Sequence, residues 1–117
     1  AYAEGFELLQ ASDYSPDLRA VAHLWNQGSV IRSWLLELSE RALEHDPKLE
    51  TIRGSVDDSG EGRWTVHEAV DLAVPAPVIA MSLFARFASR QSDAFSNRLL
   101  AALRREFGGH AVEEHKR

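Results

Sequence analysis

Apolar residues return at steps of three and four along nearly the whole chain, and no stretch of four or more residues alternates as a half-buried strand requires. This periodicity confines the chain to the all-α class. At 117 residues it suffices for one domain of about six helices. A chain of this size buries roughly two-thirds of its unfolded surface, so neither metal nor disulfide staples are needed. The sequence contains no cysteine, which removes disulfides, thiolate nucleophiles and thiolate metal sites and fits a reducing compartment.

The helix boundaries follow from caps and breakers. Tyr2, Phe6 and Leu9 already share a face with no methionine or cap residue before them, which predicts a chain that enters inside a helix; a trimmed start methionine is the alternative. Ser15-Pro16-Asp17 supplies an N-cap, a first-turn proline and an acid for a helix with Leu18, Val21, Leu24 and Trp25 inward, ending at Gly28. A longer helix then turns Ile31, Trp34, Leu35, Leu38 and Ala42 inward until Asp46-Pro47, and the two make a hairpin. Residues 46–63 lack a pattern beyond a short turn at 49–53, and a loop this long is often functional.

Thr65 and Glu68 form a capping box for a helix bearing Val66, Ala69, Val70 and Ala73. Pro75 and Pro77 break the chain. Residues 78–89 are apolar on nearly every side until Arg86, which predicts a helix through the middle of the core. Ser92 is expected to cap a last helix with Phe95, Leu99, Ala102 and Leu103 inward, and Gly108-Gly109 to end it.

Several function classes drop out. Residues 73–85 are nearly uncharged but contain two prolines and fall short of the roughly 20 residues that span a bilayer, so no membrane partner is expected. Glu4 and Glu7 interrupt the first turns, so no secretory leader is expected in this stretch. A net charge of −5 disfavours a phosphate-backbone footprint and with it nucleic acid. A helix-turn-helix around Gly28 is the competing DNA-binding reading, and Glu37, Glu40 and Glu44 on its second helix argue against it. A non-catalytic helical oligomerisation domain is a third possibility. Gly60-x-Gly62 lacks the third glycine and preceding strand of a dinucleotide fingerprint, no GxSxG elbow exists, and the five histidines show no HExxH spacing. No metal site and almost no self-sufficient catalytic equipment follow.

Two clusters remain. Arg86 puts a guanidinium on an otherwise apolar helix, where it serves either a carboxylate at the core edge or an anion. Glycines 60 and 62 and the following helix N-terminus favour such an anion, while Trp64 reads most simply as a hydrophobic plug. Arg104, Phe107, Gly108-Gly109 and His110 form the second cluster, which also has a bland account as a helix end with favourable cations and a glycine cap.

Taken in order, Ala1-Tyr2-Ala3-Glu4-Gly5-Phe6-Glu7-Leu8-Leu9, Leu24-Trp25-Asn26-Gln27-Gly28-Ser29-Val30-Ile31-Arg32-Ser33, Gly60-Glu61-Gly62-Arg63-Trp64-Thr65, Phe84-Ala85-Arg86 and Phe107-Gly108-Gly109-His110 closely resemble the decarboxylating 6-phosphogluconate dehydrogenases. The Gly-Glu-Gly-Arg-Trp-Thr wording is similar to the shorter bacterial branch, many of whose members use NAD. The resemblance covers the C-terminal helical domain and implies substrate binding and dimerisation. It also implies an upstream nucleotide-binding domain, and a lysine base and glutamate acid just before the position matching Ala1.

For the whole enzyme the resemblance implies transfer of a C3 hydride to NAD or NADP, loss of carbon dioxide from the keto acid, and release of ribulose 5-phosphate in the cytoplasm. This stretch alone is expected to bind no cofactor and to be inactive. Arg86 matches the family's phosphate-binding arginine, and Arg104 with His110 matches a pair that one subunit of a homodimer or higher oligomer inserts into its neighbour's site. The family's lysine and threonine on phosphate align with Ser59 and Glu61. A carboxylate at 61 repels phosphate unless it turns outward or pairs with Arg63. Ala73 replaces a family glycine before Val-Pro, a change expected to be harmless.

Overall fold

The computed structural model describes residues 1–109 and 111–113. Six helices and no strand occur among the described residues: α1 Tyr2–Ala11, α2 Leu18–Gly28, α3 Trp34–His45, α4 Glu61–Asp71, α5 Pro77–Ser89 and α6 Phe95–Gly108. They fall into two compact units, Ala1–Arg53 and Gly54–Arg117.

The first unit is the α2–α3 pair with α1 laid against it. Its centre is Ala22, Leu36 and Leu43, onto which Tyr2, Phe6, Leu18 and Trp25 pack. The Phe6 and Trp25 rings meet tilted, with centroids 5.5 Å apart, within the range of favourable aromatic pairs. Polar side chains fasten the turn between α2 and α3. Asn26 Oδ1 accepts from the Ser33 N–H at 3.1 Å, Ser29 Oγ donates to the Trp25 carbonyl at 2.6 Å, and the Tyr2 hydroxyl donates to the Ile31 carbonyl at 2.5 Å.

Four expectations for this unit are corrected. Leu24 of α2, expected inward, is 67% exposed, while Ala22 is the buried residue of that helix. Asp17, rather than Ser15, caps α2, accepting from the Ala20 N–H at 3.1 Å. Helix α3 begins after Ser33, whose hydroxyl accepts from the Leu36 N–H, so Ile31 lies before it. The buried row of α3 is Leu36 and Leu43, two turns apart, while Trp34 is 73% exposed and Leu35 and Leu38 are also exposed. The helix is apolar on two sides, and periodicity cannot say which side its own chain covers.

In the second unit α4 packs against α5, and the partly or fully covered residues are Gly62, Val66 and Ala69 on α4 and Ala80, Leu83 and Phe87 on α5. Of these Leu83 alone is buried. A Cβ on Gly62 would stand 3.6 Å from Leu83 Cδ1, in ordinary contact. Helix α5 is therefore not the centre of a core: Val78, Met81 and Phe84 are exposed, and among the described residues α4 is the helix that packs substantially against it. Helix α6 likewise leaves Phe95, Leu99 and Leu103 exposed. It opens after Ala94 with no side-chain cap, not at Ser92, and ends as expected on Gly109, at φ 64°, whose N–H donates to the Arg105 carbonyl.

Two backbone features bear on the sequence reading. Helix α4 starts at Glu61, one turn before the expected capping box, because Gly60 at φ 107° makes the left-handed turn that opens it; the Thr65 hydroxyl donates to the Glu61 carbonyl from within the helix. Ala73 adopts φ 53°. A Cβ in this region costs about 1–2 kcal/mol, so alanine in place of glycine carries a backbone penalty and is not neutral.

Candidate functional site

Of the residues marked by the sequence, Arg86 and Arg63 come to the C-terminal turns of α5, Arg63 through Asp58 and Phe87, while Ser59 and Glu61 contact each other and, among the described residues, make no hydrogen bond or ion pair with Arg86. Here residues 56–58 run as an irregular segment held by that helix. Ser89 Oγ accepts from the Val56 N–H at 3.0 Å and donates to the Arg86 carbonyl at 2.7 Å. Arg86 Nη1 donates to the Asp57 carbonyl at 2.9 Å, and Arg90 Nη1 donates to the Val56 carbonyl at 3.3 Å. Arg86 lies in the last turns of α5 and Arg90 is its C-cap, four positions on, which lets both reach this segment.

Asp58 lies at the centre of the charges. Its side chain is 10% exposed and takes Arg63 on both nitrogens, Nε at 2.5 Å and Nη2 at 3.2 Å, with Arg90 Nη1 at 2.9 Å. Both guanidinium groups also lie over the Phe87 ring, at 4.5 Å for Arg63 and 5.3 Å for Arg90. The Arg63 hydrogen bonds, then those of Arg90, hold the Asp58 carboxyl down at about 2, and Asp58 in turn raises the pKa of Arg63.

The Arg86 partner is thus a main-chain carbonyl rather than a carboxylate, and its guanidinium is exposed rather than on the floor of a cleft. One Nη1 hydrogen bond leaves most of its donors pointing elsewhere, since a guanidinium carries five. Glu61 does not pair with Arg63. It accepts from the Ser59 hydroxyl at the start of α4, and this contact lowers its pKa. Ser59 and Glu61 therefore satisfy each other beside the helix N-terminus. Gly60 between them is roofed by Trp64: a Cβ at Gly60 would come within 3.2 Å of the indole, so Trp64 covers the turn rather than plugging a core and is itself 68% exposed.

Arg104 is exposed on α6, and among the described residues no hydrogen bond or ion pair links it to this group. The expectation for His110 lies outside the described residues. Asp58, Arg63, Arg90 and Phe87 were not marked as functional by the sequence reading; the Arg-x-x-x-Arg spacing at 86 and 90, beside the acidic pair 57–58, is the signal that points to them. No strand precedes Gly60 and its turn is filled by Trp64 and Glu61, so these residues do not fit a dinucleotide pyrophosphate. No group of three or more His, Cys, Asp or Glu among the described residues has metal-holding geometry. An open hollow of about 670 Å³ in the first unit, lined in part by Ser15, Asp17, Arg19, Glu44 and Lys48, contains none of the residues singled out for anion binding.

The acids of the helix-turn-helix alternative are engaged within the first unit. Glu37 pairs with Arg41, Glu40 with His23 at 2.9 Å and Glu44 with Arg19 at 3.1 Å. No helix among the described residues is long and apolar enough to cross a membrane.

Comparison with known proteins agrees with the sequence blocks. Residues 46–102 match the family model of the 6-phosphogluconate dehydrogenase C-terminal domain. The chain is 54% identical over 114 residues to "Putative 6-phosphogluconate dehydrogenase YqeC" of Bacillus subtilis, covering 97% of this chain and 38% of that protein. It is 50% identical over 113 residues to the NAD(+)-dependent, decarboxylating 6-phosphogluconate dehydrogenase of Haloferax volcanii, covering 96% of this chain and 38% of that protein. A decarboxylating 6-phosphogluconate dehydrogenase of Lactococcus lactis is 30% identical over 99 residues, covering 78% and 21%. The chain thus spans under two-fifths of the length of the curated relatives it matches. An all-helical chain with these sequence blocks, half-identical to such enzymes along nearly its whole length, belongs to the 6-phosphogluconate dehydrogenase family as its C-terminal domain.

Proposed function

We propose that this chain is the substrate-holding and subunit-joining domain of a cytoplasmic, decarboxylating 6-phosphogluconate dehydrogenase that uses NAD. The observation that carries the reading is the 50% identity, over 96% of the chain, to the Haloferax volcanii enzyme named NAD(+)-dependent and decarboxylating. Bacillus subtilis relatives named NAD(+)-dependent and NADP(+)-dependent are 30% and 34% identical over 95 residues each, so the choice of NAD rests on the Haloferax volcanii enzyme. The nicotinamide, when bound, accepts the substrate hydride in a domain upstream of these residues.

In this reading Arg86 binds the substrate phosphate. Its exposed guanidinium, anchored on one side by the Asp57 carbonyl, offers the remaining N–H groups in the planar fork that suits phosphate oxygens. Ser59 is the further candidate for phosphate, and it is available only when its contact with Glu61 is released. Arg104 and His110 reach the corresponding site of a second subunit. The exposed apolar faces of α3, α5 and α6 are the surfaces that the upstream domain and that subunit cover.

The test is turnover by the enzyme that carries this domain together with its nucleotide-binding domain. With 6-phosphogluconate and NAD it should form reduced cofactor, carbon dioxide and ribulose 5-phosphate in equal amounts, with a higher kcat/KM for NAD than for NADP. Turnover of an unphosphorylated sugar acid in preference to 6-phosphogluconate would overturn the reading.

A further inference from the structure

The Arg86 site depends on a segment that lacks regular structure, since residues 56–58 belong to no helix and are held by side chains of α4 and α5. Asp58 is the largely covered charge in that segment and gathers two arginines, Arg63 from α4 and Arg90 from the C-cap of α5. The residue before it, Asp57, presents the carbonyl on which Arg86 is anchored. From this arrangement, and resting on the reading of Arg86 as the phosphate ligand, we propose that Asp58 is a positioning residue: by clamping Arg63 and Arg90 on Phe87 it fixes the 56–58 segment and so aims the Arg86 guanidinium at the substrate.

The geometry separates this role from simple charge neutralisation. Neutralising two arginines needs a carboxylate near them, whereas the clamp has Asp58 bridging two helices and adjoining the residue that accepts from Arg86. Arg90 repeats the connection by binding the Val56 carbonyl as well as Asp58, so the segment is pinned on both sides of Asp57. Removing Asp58 leaves Arg63 without its carboxylate and Arg90 with only the Asp57 carboxylate at 3.7 Å, so the segment keeps its ties at Val56 but loses the one that follows Asp57 and can shift there. The direct phosphate ligand remains but loses its aim, which weakens substrate binding without touching the chemical step.

The test is a double-mutant cycle in the two-domain enzyme, reading KM for 6-phosphogluconate in the wild type, Asp58→Ala, Arg86→Ala and the double variant. Asp58→Ala should raise this KM by about fivefold, in the range of coupling between contacting groups, with kcat and the KM for NAD within about twofold. In the Arg86→Ala background the same change should add less than about twofold, because Asp58 then has nothing left to aim. An unaltered KM in folded Asp58→Ala enzyme, or an equal rise in both backgrounds, would overturn the proposal. Should Asp58→Ala not fold, Arg90→Gln removes one arm and keeps the paired Arg63 contact. It should give a smaller rise that also disappears in the Arg86→Ala background, and an unaltered KM on making Arg90→Gln in the otherwise wild-type enzyme overturns the proposal as well. If Arg86→Ala itself leaves KM unaltered, the phosphate-ligand reading falls along with it; if only the Asp58 and Arg90 variants are silent, the clamp alone falls.

Discussion

Asp58 takes both Nε and Nη2 of Arg63, at 2.5 and 3.2 Å, and so ties the segment before α4 to the first turns of that helix. With Arg90 completing the group from α5, the carboxyl of Asp58 titrates near 2 instead of at its ordinary 3.8.

This depression sets a pH window. A carboxyl whose pKa is lower in the folded state contributes stability that is complete above its unfolded value and lost as pH falls through the folded one. The contribution of Asp58 is therefore whole above about pH 4 and fades toward pH 2. Denaturation midpoints for wild type and Asp58→Asn should differ at pH 6 and converge between pH 4 and 2. Asp46, lowered by its hydrogen bonds from Thr51, and Glu61, lowered by Ser59, move stability in the same direction in both proteins, so the difference between them isolates Asp58.

Ala73 offers a test of the backbone argument. At φ 53° its Cβ is strained, and glycine removes the strain at the cost of greater freedom in the unfolded chain. Ala73→Gly should stabilise the chain by about 0.5–1 kcal/mol, measured as an upward shift of the denaturation midpoint.

The two apolar sides of α3 should respond differently in the 117-residue chain. Leu36 is fully buried, so Leu36→Ala should cost about 2–4 kcal/mol through lost burial and a cavity. Leu35 is 60% exposed, and Leu35→Ala should cost less than about 0.5 kcal/mol. Equal losses would mean that the chain self-associates through the outer face.

Much of this was legible from spacing alone. The helix set, the stop at Asp46-Pro47, the turn at 49–53 and the glycine cap of α6 follow from period and local chemistry, which act over a few residues. The faces were not legible, because α3, α5 and α6 are apolar on sides that this chain does not cover, and a pattern records hydrophobicity without naming the partner. The start of α4 was missed for a local reason: Gly60 at positive φ opens the helix ahead of a Thr65-x-x-Glu68 box that matches the cap pattern but lies inside it. At the site, the resemblance marked Arg86, Ser59 and Glu61, while the Asp58 clamp needs Arg90, 32 positions away and adjacent to Asp58 only in the folded unit.

The proposed sharing of sites between subunits has its own test. Heterodimers of the two-domain enzyme, pairing a His110→Ala subunit with an Arg86→Ala subunit, should contain one intact and one doubly damaged site. Activity should recover above either parent, approaching half of wild type. Verified heterodimers with no recovery would mean that each subunit completes its own pocket.

The central claim is that Arg86 holds the substrate phosphate, and the equilibrium affinity for 6-phosphogluconate measures it most directly. Titration calorimetry on the two-domain enzyme should show Arg86→Ala raising the Kd for 6-phosphogluconate at least about tenfold, as loss of a charged hydrogen bond to phosphate requires, while the Kd for NAD stays within about twofold. A folded Arg86→Ala enzyme that binds 6-phosphogluconate as tightly as the wild type would contradict the account.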